Sequence, residues 1–234
     1  LTQELPNVQA AYREAKEIIP GGTQLLSKRP EMFAPEQWPA YYREARGCEV
    51  IDIEGNRFID MSLSGILSCI LGFSDPDVNA AVIRRVNMGS MATLQTYDEV
   101  ELAKLLLQIH PWAQQARFTR AGGESMAAAV RIARTFTGRN KIALCGYHGW
   151  HDWYLAANLS TADSTANPDQ LTGHLIPGLE PSGVPSELAG LTHTFHYNRL
   201  DELDGILAKH GPELGAIVME PTRHTDPDPG FLEG

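Results

Sequence analysis

Cysteine is scarce: Cys48, Cys69 and Cys145 are the only three in 234 residues. They are odd in number, scattered and without CxxC spacing. A disulfide framework or a cysteine zinc site is therefore not expected, and a reducing compartment is the default. Positive charge is also in short supply. Against 29 Asp and Glu stand 19 Lys and Arg, a net charge of −10, which argues against nucleic acid or an anionic membrane as the main partner. No apolar run approaches membrane-spanning length, and the opening LTQELPNVQAAYREAKEI is too polar for a signal peptide. The expectation is a soluble, cytoplasmic protein with neither nucleic acid nor membrane among its partners. The GxGxxG and GK[ST] fingerprints are absent too, so neither nucleotide motif fits.

What is present is an ordinary globular composition, 43% apolar, enough for one α/β domain or one and a half smaller ones. The chain is organised around residues 117–149, RFTRAGGESMAAAVRIARTFTGRNKIALCGYHG. A short strand is expected at 116–119, then a glycine turn at 120–123. From Glu124 to Thr135, Met126, Ala129, Val130, Ile132 and Ala133 recur at helical spacing, with Gly138 as a C-cap. Ile142–Cys145 reads as a buried parallel strand. Two glycines at a strand-to-helix junction leave unpaired N–H groups beside missing Cβ atoms, which suits an anion such as phosphate. Plain turn chemistry is the other reading of the same residues.

Along the rest of the chain, Asn7–Ile19 reads as an amphipathic helix closed by Pro20-Gly21-Gly22. Cys48–Ile53 and Arg57–Met61 read as a hairpin around Gly55-Asn56. A helix is expected from Asp75-Pro76-Asp77 to about Asn87, and another over Asp98–Ile109. The long connection 156–192 is either a surface excursion or a lid over a site. Thr194–Tyr197 and Ala216–Met219 read as strands with a helix at Leu200–Lys209 between them. The closing PDPGFLEG reads as the start of a further helix.

With RAGGE, Tyr147-His148-Gly149 and the strand-end Glu220-Pro221 in place, the chain resembles the class III aminotransferases of the type I pyridoxal-phosphate fold, in particular the glutamate-1-semialdehyde aminomutase-like branch. Pro20-Gly21-Gly22, DIEGNRFID at 52–60, LGFSDP at 71–76, ARTFTGRNK at 133–141 and AIVMEP at 216–221 add to the likeness through their order and spacing. The resemblance implies an α/β fold with the mainly parallel sheet of a large cofactor-binding domain, here incomplete. Residues 1–87 would belong to the small domain with its hairpin, and residues 88–234 to the N-terminal half of the large one.

The resemblance also assigns residues. The phosphate turn falls on Ala121, Gly122, Gly123 and Glu124; the hydroxyl usual in the family is missing, with Ser125 as a substitute. Tyr147 matches the aromatic that stacks on the pyridine ring, and Glu220 the strand-end Glu beside the cofactor, with Arg223 as a local partner. Lys28 or Arg29 falls where the aminomutases bind a substrate carboxylate. For the Asn that bonds the cofactor's phenolic oxygen in the aminomutases, either His224 or Thr225 stands in or nothing does. The Ser-Trp-Gly that precedes LGHxHP is replaced by Gly65-Ile66-Leu67, which points to a substrate other than glutamate semialdehyde, a sugar, cyclitol or ring ketone among them.

The family's Schiff-base lysine, its pyridine-binding Asp and its cross-dimer Thr lie beyond the matched stretch, so no catalytic residue is expected here. The implied protein uses pyridoxal 5'-phosphate, an amino donor and a keto or aldehyde acceptor, and forms a homodimer with the site at its interface. A non-catalytic binding or regulatory module derived from the same fold is the alternative. A third reading, a metal hydrolase, would use His148, His151 and Asp152, with the two His on one helix face.

Overall fold

The computed structural model describes residues 7–62, 65, 68–161, 181–222 and 225–234. It divides into two compact units, Leu1–Glu99 and Val100–Gly234; the sequence places the boundary one loop earlier, at Asn87.

In the first unit, helix α1 (Val8–Ile18) starts where Asn7 Oδ1 accepts the N–H groups of Gln9 and Ala10, at 3.0 and 3.2 Å. This satisfies two donors left over at a helix start. Val8, Tyr12 and Ala15, spaced four and three apart, form its buried face. Three antiparallel strands follow in order: β1 (Tyr42–Arg46), β2 (Glu49–Asp52) and β3 (Arg57–Ile59). β2 and β3 make the expected hairpin. The buried Asp52 pins its turn by accepting the N–H groups of Glu54 and Asn56 and the Asn56 side-chain amide, at 2.8–2.9 Å. β1 is an addition: YREAR is too charged and too weakly alternating to announce a strand, and pairing with β2 supplies its order. Helix α2 (Pro76–Asn87) is capped by Asp75 Oδ1, with Pro76 in its first turn. Helix α3 (Asp98–Ile109) begins at the unit boundary.

The second unit is built on helix α4 (Gly122–Thr137) and a parallel sheet of β4 (Lys141–Cys145), β5 (Thr192–Thr194) and β6 (Leu214–Met219), in the order β5-β4-β6. Short helix α5 (Asp152–Leu155) and helix α6 (Leu200–His210) complete it. Gly138, in left-handed conformation at φ 67°, ends α4 and its N–H returns to the Arg134 carbonyl. The central strand β4 is buried on both faces, and the period of two divides its side chains. Ile142 and Leu144 join Val130 of α4 with Trp153 and Tyr154 of α5, whereas Ala143 and Cys145 join Phe195, Leu214 and Phe231.

Three expectations are corrected here. Residues 116–119 form no strand, because the sheet's edges are β5 and β6 and neither pairs with them. The strand expected at Thr194–Tyr197 is Thr192–Thr194; the Phe195 N–H still donates to the Leu144 carbonyl at 3.0 Å, and its ring plugs the core at 2% exposure. The closing PDPGFLEG forms turns rather than a helix. Its two prolines and Gly230 at φ 87° oppose helix, and Phe231 is buried edge-on against Tyr197 at 4.8 Å. Residues 162–180 of the long connection, and with them the lid reading, lie outside the described residues, as do Ile66, Leu67, Arg223 and His224.

Candidate functional site

The carboxyl rim of the parallel sheet in the second unit gathers the candidate residues. Cys145 of β4 and Met219 of β6 are register partners, so Tyr147 and Glu220 leave the sheet on the same side. α4 begins there as well: a Cβ built on Gly149 would lie 3.2 Å from the Cα of Gly123. Gly149 can make this approach because it has no side chain and holds φ at 111°. The turn after β4 is thereby locked against the first turn of the helix.

At that first turn Ala121 is the N-cap residue, extended at φ −140° and ψ 154°, with no side-chain cap. The first intrahelical bond runs from the Ser125 N–H to the Ala121 carbonyl, 3.0 Å. Among the described residues, the N–H groups of Gly122, Gly123 and Glu124 meet no protein acceptor. Such orphan donors, with the positive end of the helix dipole, form an anion site. Glu124 does not occupy it; its carboxylate folds back onto the Arg120 N–H at 3.0 Å. A Cβ on Gly122 would meet nothing within 4 Å, so there is room for a ligand above it. The donors and the space fit a phosphate.

The two glycines differ. Neither has a positive φ, so the backbone does not require them. At Gly123, however, a Cβ would fall 2.5 Å from His151 Nε2 and 2.7 Å from its Cδ2. The space freed at Gly123 is taken by an imidazole. His151 is the residue whose place the sequence misread. It is the N-cap of α5, while His148 lies outside any helix and turns its Nε2–H to the Cys145 carbonyl at 2.8 Å. The two share no helix face, and among the described residues no group of three or more His, Cys, Asp or Glu could hold a metal ion. The signal for His151 was available: a turn lacking its hydroxyl, with a histidine in the turn that packs on it.

Ser125, the expected substitute hydroxyl, is committed elsewhere. Its Oγ pairs with Thr119 Oγ1, which also donates to the Ala121 carbonyl at 3.2 Å. Tyr147 is half-buried and edge-on to Tyr154, 5.5 Å between centroids at 79°; partial burial raises its phenol above the ordinary value. Glu220, the strand-end carboxylate, is exposed, because it follows an edge strand. Lys28 belongs to the first unit, exposed on the single 3-10 turn Leu26–Lys28.

The opposite rim carries a second polar group. Lys141 Nζ donates to Glu213 Oε1 at 2.9 Å and lies 3.0 Å from His210 Nδ1. The His210 ring stacks on His193 at 4.1 Å and 14°. Burial, then the neighbouring His210 and Lys141, push the His193 imidazole below its usual range.

A family model described as aminotransferase class-III matches residues 32–225. The 3-aminobutyryl-CoA aminotransferase of Cloacimonas acidaminovorans is 30% identical across 98% of this chain and 51% of its own length. A glutamate-1-semialdehyde 2,1-aminomutase of Chloroflexus aurantiacus is 33% identical across 100% of this chain and 51% of its own. Among solved structures, an omega-transaminase from Sphaerobacter thermophilus superposes with TM-score 0.76 at 29% identity, covering 97% of this chain and 50% of that one. The chain spans about half the length of the curated relatives it matches.

Proposed function

Because the chain belongs to the class III aminotransferases, we propose that it serves the pyridoxal-phosphate-dependent transfer of an amino group, as an aminotransferase or aminomutase-like protein, to a keto or aldehyde substrate. The observation that carries this reading is the meeting of two turns at the sheet's carboxyl rim. The orphan N–H groups at the start of α4 abut Gly149, two residues from a half-exposed aromatic ring.

Bound there, pyridoxal phosphate supplies an electron sink for the carbon that gains or loses the amino group. The chain's own residues bind and orient. The backbone N–H groups of Gly122 and Gly123, with Ala121 at the cap, hold the phosphate. Tyr147 would supply the aromatic face that stacks on the pyridine ring and fixes its plane. Glu220 stands on the same rim. None of the five lysines serves as the covalent anchor for the cofactor, and no catalytic residue is assigned to this chain.

The same reading assigns residues 1–87 to the small domain and 88–234 to the large one. It also takes a cytoplasmic homodimer as the working form. One observation supports the dimer: α2 buries none of its residues while exposing Val82 and Ile83.

The test compares pyridoxal phosphate with pyridoxal by equilibrium dialysis. Preference for the phosphorylated form, with Tyr147→Ala weakening both by on the order of 1 kcal/mol, supports the site. Equal affinity for the two compounds removes it.

A further inference from the structure

The side chain that completes the anion site comes from the turn after β4 and not from α4. We propose that His151 Nε2 is the donor that replaces the missing hydroxyl of the phosphate turn. This rests on the cofactor reading above and adds to it a residue and a reason for Gly123.

Four observations converge. The turn Ala121-Gly122-Gly123 has no side-chain donor. Ser125 and Thr119, the hydroxyls nearest in sequence, bond one another. The imidazole of His151 occupies the volume that a side chain at position 123 would fill, with Nε2 as the atom nearest the virtual Cβ. Among the described residues no protein group hydrogen-bonds to the half-buried His151 ring; its ring neighbour there is Trp150, stacked at 5.7 Å and 18°. A polar ring atom beside orphan backbone N–H groups is a donor facing the same ligand. Nε2–H then adds a hydrogen bond to an anion already held by Gly122 and Gly123, and such bonds are stronger than those between neutral groups.

The glycine follows from the same geometry. Position 123 has no positive φ, so the backbone there accepts any L-residue. Glycine is required because the histidine stands where the side chain would be. Serine at 123 and histidine at 151 are alternative sources of one donor, and each excludes the other.

The experiment measures binding of pyridoxal phosphate and of pyridoxal to the protein and three variants, by equilibrium dialysis with circular dichroism as the check on folding. His151→Ala is expected to lose about tenfold or more in affinity for pyridoxal phosphate, and little for pyridoxal. The double variant Gly123→Ser with His151→Ala is expected to regain most of the loss. Gly123→Ala with His151→Ala fills the same space without a hydroxyl and is expected not to. If both double variants recover equally, His151 is only a space-filler and the proposal falls. If His151→Ala binds as the parent does while the parent still prefers the phosphorylated compound, the proposal also falls, and the cofactor reading stands. A parent that does not distinguish the two compounds overturns both.

Discussion

Replacing Gly149 by Ala tests the contact on which the site depends. Two costs are expected. A residue with a Cβ at φ 111° is strained, by roughly 1–2 kcal/mol for left-handed backbone. The added Cβ would also lie 3.2 Å from the Gly123 Cα, and backbone cannot swing aside as a side-chain tip can. Relief requires the turn after β4 and the start of α4 to part by a few tenths of an ångström. Overpacking of this kind costs about 1–3 kcal/mol, so the sum is roughly 2–5 kcal/mol. Gly138→Ala is the internal control. It has φ 67° and nothing within 4 Å of its virtual Cβ, so it should show the backbone cost alone. Urea unfolding of both variants gives the difference, which is the contact. Dialysis against pyridoxal phosphate should show weakened binding in Gly149→Ala and unchanged binding in Gly138→Ala. Equal destabilisation of the two, with equal binding, would refute the close approach of the two turns.

Leu144→Ala should cost about 2–5 kcal/mol in the same unfolding assay, because Leu144 is fully buried on the central strand; a loss below 1 kcal/mol would deny that β4 is the core of its unit. Stability should also fall in mild acid. The folded state holds His193 below its ordinary 6.5, so the unfolded chain binds the proton more readily, and the contribution is complete above the ordinary value and lost as pH drops below it. Unfolding measured at pH 7.5 and pH 5 should show a smaller loss in His193→Phe, which keeps a flat ring against His210, than in the parent; an identical loss would exclude His193 as the cause.

Local chemistry was legible where one residue type acts alone. Asn7 and Asp75 announce their helices because a short polar side chain caps the N–H groups two and three residues on. The apolar run after Asn140 declares a strand buried on both faces. What the sequence concealed depends on partners distant in the chain. Tyr42–Arg46 becomes a strand only by pairing with β2, and residues 116–119 fail to be one for want of a neighbour. Glu220 is exposed because β6 is an edge, a property of strand order. At the candidate site, Gly122 and Gly123 were readable as an anion turn, yet the role of Gly123 depends on His151, 28 positions away, whose ring fills its missing Cβ.

The central claim is that this chain contributes the phosphate turn and the aromatic ring, but not the lysine that anchors the cofactor. The positions of the lysines support it. Lys16 is paired with Glu31 in the first unit. Lys141 lies at the start of β4, the rim opposite the turn of Gly122 and Gly123, and is held by Glu213 and His210. Lys209 ends α6, where a cation suits the helix dipole, Lys104 lies on α3, and Lys28 is exposed on its 3-10 turn. The direct measurement is to saturate the protein with pyridoxal phosphate, reduce with borohydride and map the labelled peptides by mass spectrometry. Low labelling scattered over several lysines is the expected result. A single lysine labelled stoichiometrically, Lys28 above all, would contradict the account.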